Sequence, residues 1–260
     1  MINLFKNLKI LLYVGDFVLF GVYLALALWA DLPAVPCMIG YGIMLLAWRF
    51  LLRHMAYQRF SRITSDLENC RIRQGISRLQ SLLNRCGQGT FFLINADLAF
   101  GYLMLGQAER GLAILDALPP FPNKSGWLPL KLVCEGNRGA AYLMMNRLDD
   151  VEASIERYAA ILAETPKKYL QKSKLEDSYQ AQLIELQMAR GNFEGAVDFF
   201  RSRLQKAATL RQAVYSHYML AWALHHDGYI DEAKTHLQFV TENGGDTWFA
   251  DSAQKKLETL

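Results

Sequence analysis

The side chains best suited to chemistry in this 260-residue chain are few, and several gather near its end. His225, His226 and Asp227 adjoin, with Asp231 and His236 shortly after; imidazole plus carboxylate is the donor set of a divalent metal site. Neighbouring helix positions point in different directions, however, so His225 and His226 do not readily share one ion. Cys37, Cys70, Cys86 and Cys134 form no CxxC pair and no zinc-type Cys/His spacing, which leaves them as small apolar side chains. The sequence has no phosphate-binding glycine loop, no GxGxxG after a strand, no HExxH and no GxSxG. No catalytic residue, metal or cofactor is expected. The other chemically unusual residue is Asp16, a carboxylate set inside an apolar run. Such a group either faces a partner helix or water path, or reaches back to the membrane interface.

That run extends from Ile10 to Ala30, and a second follows from Leu32 to Leu52. A helix rises about 1.5 Å per residue, so roughly 20 apolar residues cross a hydrocarbon core. The sequence therefore predicts two transmembrane helices over about 10–30 and 32–52, joined by a tight turn at Asp31-Leu32-Pro33. A membrane hairpin would occupy 1–54 and a second domain 55–260. Residues 1–90 hold 10 Lys/Arg against 4 Asp/Glu, whereas residues 91–260 hold 18 against 21. Lys6 and Lys9 precede the first run, and Arg49, Arg53 and Arg59 begin the basic stretch after the second. By the positive-inside rule both termini and the second domain lie in the cytoplasm, at the cell membrane. The same arginines suit anionic lipid headgroups. A secretory leader is a poorer reading, because the first apolar stretch exceeds the usual 7–15 residues and a second follows directly. The basic stretch lacks the glycines and stacking aromatics of a nucleic-acid surface, and none is expected.

Beyond Arg53, apolar residues recur at three- and four-residue steps in segments broken by Gly or Asn, which is the pattern of helices. Four segments align on a short turn at Gly106, Asn146, Gly191 and Gly228, spaced 40, 45 and 37 positions apart. Five residues past each turn comes a small or compact residue, Gly111, Val151, Ala196 or Ala233, suited to close helix pairing. Arg59 to Ser81 reads as a divergent first pair turning near Asn69-Cys70-Arg71, and Thr247 to Leu260 as a polar-backed capping helix.

The segments resemble the tetratricopeptide repeat. Leu98-Ala99, Tyr102, Gly106, Gly111 and Pro119 follow its order in the first unit, and Leu220-Ala221, Gly228 and Ala233 in the fourth. Leu183, Gly191, Ala196 and Phe200 match in the third, while Tyr142 alone fits well in the second. The family period is about 34 residues, so the longer spacing here implies extended helices or loops such as Pro119–Lys124. The expected fold is all-α: a transmembrane hairpin followed by a tetratricopeptide-like α-solenoid of stacked antiparallel helix pairs, spanning about 60–255.

The resemblance implies that the first helix of each pair lines a concave groove that binds extended or helical peptides. Carried over unit by unit, the groove takes Leu93, Phe100, Leu103 and Met104 from the first and Ala140, Leu143 and Met144 from the second. Glu185 and Met188 come from the third, and Tyr215, Tyr218, Trp222, His225 and His226 from the fourth. The set is apolar, aromatic and Met-rich, which suits an amphipathic helix or apolar peptide; the alternative reading is that many of these residues simply pack the interior. The Lys/Asn clamp for a peptide carboxylate is absent. Two functions follow. One is a membrane-anchored, non-catalytic scaffold recruiting a protein or peptide partner. The other is a structural subunit of a membrane enzyme or transport complex assembled through the hairpin and Asp16. Self-association through the hairpin or a solenoid edge is open in both.

Overall fold

A computed structural model describes residues 6–29, 34–83, 86–167, 169 and 175–260. Among them, regular structure is entirely helical. The elements are α1 (Lys6–Trp29), α2 (Ala34–Glu68), α3 (Ile72–Leu83), α4 (Gln88–Met104) and α5 (Ala108–Asp116). A short 3-10 turn, Ser125–Trp127, leads into α6 (Leu128–Met144) and α7 (Leu148–Glu164). Then come α8 (Leu175–Ala189), α9 (Ala196–Gln205), α10 (Leu210–His226), α11 (Ile230–Asn243) and α12 (Trp248–Thr259). The chain divides into a hairpin unit, Met1–Ile63 with Ser81–Phe91, and a repeat unit, Thr64–Gln80 with Phe92–Leu260. The domain boundary expected after residue 54 falls inside α2.

In the hairpin unit α1 and α2 run antiparallel. Gly15 lies against the Trp48 indole and Gly40 against the Tyr23 ring, so a side chain at either glycine would push the helices apart. Arg49 donates to Asp16 Oδ2 at 2.8 Å, and the Tyr41 hydroxyl donates to the Asp16 backbone carbonyl at 3.1 Å. Tyr41 also packs edge-on against Phe20, with centroids 5.5 Å apart. The outward faces are strongly apolar: Phe17 is 77% exposed, Leu46 70% and Phe50 73%. Among the described residues, however, no helix is long and apolar enough to cross a membrane. The expected transmembrane hairpin therefore has no structural support. The turn at Asp31–Pro33 lies outside the described residues, as do the side chains of Cys37, Arg53 and Arg59.

The repeat unit is a succession of hairpins made by one device. Cys70, Gly106, Asn146, Gly191 and Gly228 all adopt left-handed backbone, with φ between 56° and 87°. The left-handed residue donates its N–H three positions back and the next residue donates five back. Gly106 reaches the Leu103 carbonyl and Gln107 the Tyr102 carbonyl, both at 2.9 Å, and the other four turns repeat this pairing. The last carbonyls of each first helix are thereby satisfied while the chain reverses. Glycine and asparagine adopt this conformation cheaply, which is why four of the turns were visible as Gly or Asn. The second helices then pack closely. Val151, Ala196 and Ala233 are buried, and a side-chain carbon at Gly111 would lie only 3.0 Å from the Ala99 carbonyl oxygen.

The end of the repeat unit meets its beginning. Gly245 is left-handed and sits against the Cys70 carbonyl, with no room for a side chain. Beside it the Asp246 carboxylate accepts the N–H groups of Ile72 at 2.6 Å and Arg73 at 2.8 Å, capping α3. Arg211 on α10 grips Glu68 at the end of α2 with two hydrogen bonds, 3.0 and 3.2 Å long. Trp248, opening α12, packs against the turn at Gly106.

Candidate functional site

The first helices of successive hairpins, together with α12, surround a cavity of about 520 Å³. α4 contributes Phe100, Leu103 and Met104, and α6 contributes Asn137, Ala140, Leu143 and Met144. α8 supplies Glu185 and Ala189, and α10 supplies Tyr215, Tyr218, Met219 and Trp222. The remaining wall is Trp248, Phe249 and Lys256 from α12, with Asn146 at a hairpin turn. Spacings of three and four residues along each helix place these groups on one face.

Aromatic contacts fix the far wall. Tyr218 packs edge-on against Trp248 at 5.3 Å, and Tyr215 against Phe249 at 5.9 Å, which ties α12 to α10. Trp222 is held edge-on by Phe193 at 5.7 Å. A second cavity of about 240 Å³ shares Phe100, Met104, Asn137, Ala140, Glu185 and Tyr215 with the first and adds Arg203 and Arg211. The lumen thus changes character along its length, from aromatic and sulfur-bearing to charged.

The charged end has distinct electrostatics. Glu185 is 8% exposed, and burial pushes its carboxyl up to about 7 against the opposing field of Arg203. Burial likewise lifts Asp97 to about 7. Glu68 goes the other way: burial works upward on it, but the charge and hydrogen bonds of Arg211 outweigh that and hold it below the ordinary carboxylate value. Burial lowers the Arg203 guanidinium, which donates to the Asp177 carbonyl at 3.0 Å and lies 5.3 Å over the Tyr215 ring. Arg211 lies 4.8 Å over Phe100.

Of the fourteen groove residues expected from sequence, Phe100, Leu103, Met104, Ala140, Leu143, Met144, Glu185, Tyr215, Tyr218 and Trp222 line the larger cavity. Four do not. Met188 is 1% exposed inside the packed interior, and its neighbour Ala189 lines the wall instead. Leu93 stands seven residues before Phe100, two turns or roughly 11 Å up α4, beyond the cavity's reach. His225 and His226 are exposed in the last turn of α10. The sequence reading missed Met219 and the α12 contribution of Trp248, Phe249 and Lys256, because it treated that helix only as a cap. The opening Trp248-Phe249 pair was the available signal, two large aromatics at the start of a helix otherwise polar on its outer side.

The histidine group does not converge. His226 stacks on Phe193 with centroids 3.8 Å apart and contacts Asp227 at 3.2 Å. His236 instead meets His217, their Nδ1 atoms 2.7 Å apart. Among the described residues, no three of His, Cys, Asp and Glu stand close enough to hold a metal ion.

Comparison with known families bears on the α10–α11 hairpin, which contributes Tyr215, Tyr218 and Trp222 to the wall. Residues 214–238 match a tetratricopeptide repeat. No curated protein and no solved structure matches the chain. The matched segment covers the hairpin that turns at Gly228 and packs on Ala233. The all-helical hairpins that precede it fit repeats of the same kind.

Proposed function

We propose that the chain is a non-catalytic scaffold, tethered to the cell membrane, whose repeat unit binds an apolar or amphipathic protein segment in the lumen. The observation that carries this reading is the cavity wall: aromatic and Met side chains from consecutive repeats, on the face where tetratricopeptide repeats generally meet protein partners. Thioether and ring surfaces repack readily around apolar side chains, and both line this wall.

The membrane part of the proposal rests on α1 and the start of α2. Contiguous exposed apolar surface is uncommon on proteins surrounded only by water, and here Phe17, Leu46 and Phe50 all face outward. A bilayer covers such a surface, with Lys6 and Lys9 before it and the Arg-rich stretch after it on the cytoplasmic side. Anionic headgroups are the natural partners of Arg49, Arg53 and Arg59 in that arrangement.

The test uses the full chain in mild detergent, immobilised and exposed to a lysate, with the same experiment on Trp222→Ala and Phe100→Ala. Partners held by the native chain should be lost from both variants. Retention of every partner by both variants would count against the lumen as the binding site. Resistance of the chain to alkaline extraction from membranes, and accessibility of tags at each end, check the tether and its orientation.

One observation favours the second reading, a structural subunit of a membrane complex. Asp16 Oδ1 and Trp48 Nε1 are both buried in the hairpin without a hydrogen-bond partner. Under that reading Asp16→Ala breaks assembly while the groove variants are tolerated.

A further inference from the structure

Most of the polar groups near the lumen are already committed. Arg211 is engaged with Glu68, Arg203 with the Asp177 carbonyl and the face of Tyr215, and Asn137 donates to the Ala96 carbonyl at 3.0 Å. Glu185 differs. Its side chain is more than nine-tenths buried and lines both cavities, yet among the described residues its carboxylate takes no hydrogen bond and no ion pair. Arg203 acts on it only through its field. A carboxylate with little access to water and no direct partner is costly, and the cost falls when a cation or donor arrives.

What surrounds it narrows the class of that arrival. The larger cavity presents the rings of Phe100, Tyr215, Tyr218, Trp222 and Trp248 around this one acid. Ring faces carry negative potential and attract ammonium groups, and the protein uses two of them this way already, under Arg203 and Arg211. The one cation in the wall of that cavity, Lys256, is partly exposed on α12, whereas Glu185 is buried. An anionic occupant of that cavity would meet rings and a carboxylate, and the arginines of the smaller cavity are already engaged, Arg203 with the Asp177 carbonyl and Arg211 with Glu68.

We propose that the lumen receives an apolar peptide segment carrying a single lysine, whose ammonium meets Glu185 among the rings while its apolar neighbours contact Met104, Leu143 and Met144. This rests on the peptide-binding reading of the lumen and adds to it the identity of the recognised residue. The charge complementarity is specific: one buried acid selects one cation, and a strongly basic segment would leave its other charges against apolar walls.

The experiment uses the full chain in detergent and three fluorescent pools of 12-residue amphipathic peptides, identical in their Leu, Met and Ala mixture. They differ only at the central position, which is lysine, norleucine or glutamate. Binding is read by anisotropy for the native chain, Glu185→Gln and Trp222→Ala. The lysine pool should bind at least about tenfold more tightly than the norleucine pool, and Glu185→Gln should erase that preference. Norleucine binding as tight as lysine, with both weakened by Trp222→Ala, overturns the lysine inference and leaves the apolar-lumen reading standing. Equal lysine preference in the native chain and Glu185→Gln overturns it too. No binding by any pool removes both readings. Glu185→Met, equally uncharged and close in size, must behave as Glu185→Gln does.

Discussion

The carboxylate of Asp246 accepts the backbone N–H of Ile72 at 2.6 Å, across 174 positions of sequence. It does for α3 what a local capping residue does for an ordinary helix, satisfying exposed amides at the positive end of the helix dipole. The cap comes from the far end of the repeat unit, so one side chain both finishes a helix and joins the last hairpin to the first.

Asp246→Ala should therefore cost about 0.5–2 kcal/mol, the range of a lost helix cap. Asp246→Asn keeps an acceptor oxygen and should cost less. Denaturant unfolding of the full chain in detergent measures both, and equal stability of all three proteins would show that the contact does not hold the ends together.

The Arg211–Glu68 grip ties the same two ends from another direction. Both side chains are partly exposed, at 23% and 34%, so water screens the pair. A double-mutant cycle with Arg211→Met and Glu68→Gln should return a coupling of about 1 kcal/mol, somewhat above an ordinary surface pair because the geometry is two-pronged. A coupling near zero would mean that Arg211 acts through its stacking on Phe100 alone.

Glu185 makes stability depend on pH. Its carboxyl is raised to about 7 in the folded chain from about 4.5 unfolded, so the folded state holds the proton more tightly. Its contribution is complete below about 4.5 and is lost as pH rises through 7. Glu185→Gln should therefore lose this component and melt above the native chain at pH 8, by up to about 3 kcal/mol in free energy, with the gap closing near pH 5. Melting curves that stay parallel across this range would contradict a buried, unpartnered acid. Asp97, raised to about 7 as well, adds a component of the same sign that remains in the variant.

His217 has the opposite sign. Burial and the neighbouring His236 lower its imidazole to about 4, so it is neutral when folded and gains a proton when unfolded in mild acid. Its contribution is full above about 6.5 and drains away as pH falls toward 4. Nuclear magnetic resonance titration of the His217 ring should show no protonation at pH 5.5. A midpoint at or above 6.5 would mean that the Nδ1–Nδ1 contact with His236 does not persist.

Much of the repeat unit was legible because its turns demand unusual backbone. A left-handed residue at the end of a helix is chemically expensive for most side chains, so Gly106, Gly191, Gly228 and Asn146 mark hairpins in plain sequence. Cys70 shows the limit. It adopts φ 58° with an ordinary side chain, and the sequence places its turn only as near Asn69-Cys70-Arg71 in a divergent first pair. The resemblance to the repeat family likewise placed ten residues on the lumen wall, but such a match fixes a face and not a depth. Leu93 shares its face with Phe100 yet lies beyond the cavity. Contacts between distant segments, such as Asp246 with Ile72, leave no periodic trace. The partnerless state of Glu185 was equally hidden, since it depends on five helices at once.

The join between Asp246 and Ile72 also bears on how such a chain can evolve. An open repeat array lengthens by duplicating a unit, because each unit touches only its neighbours. Here an added hairpin would carry Asp246 away from the amides it caps and pull Arg211 from Glu68. The number of repeats is locked by the closure, and with it the width of the space they enclose. Change of specificity is then left to substitution within the wall.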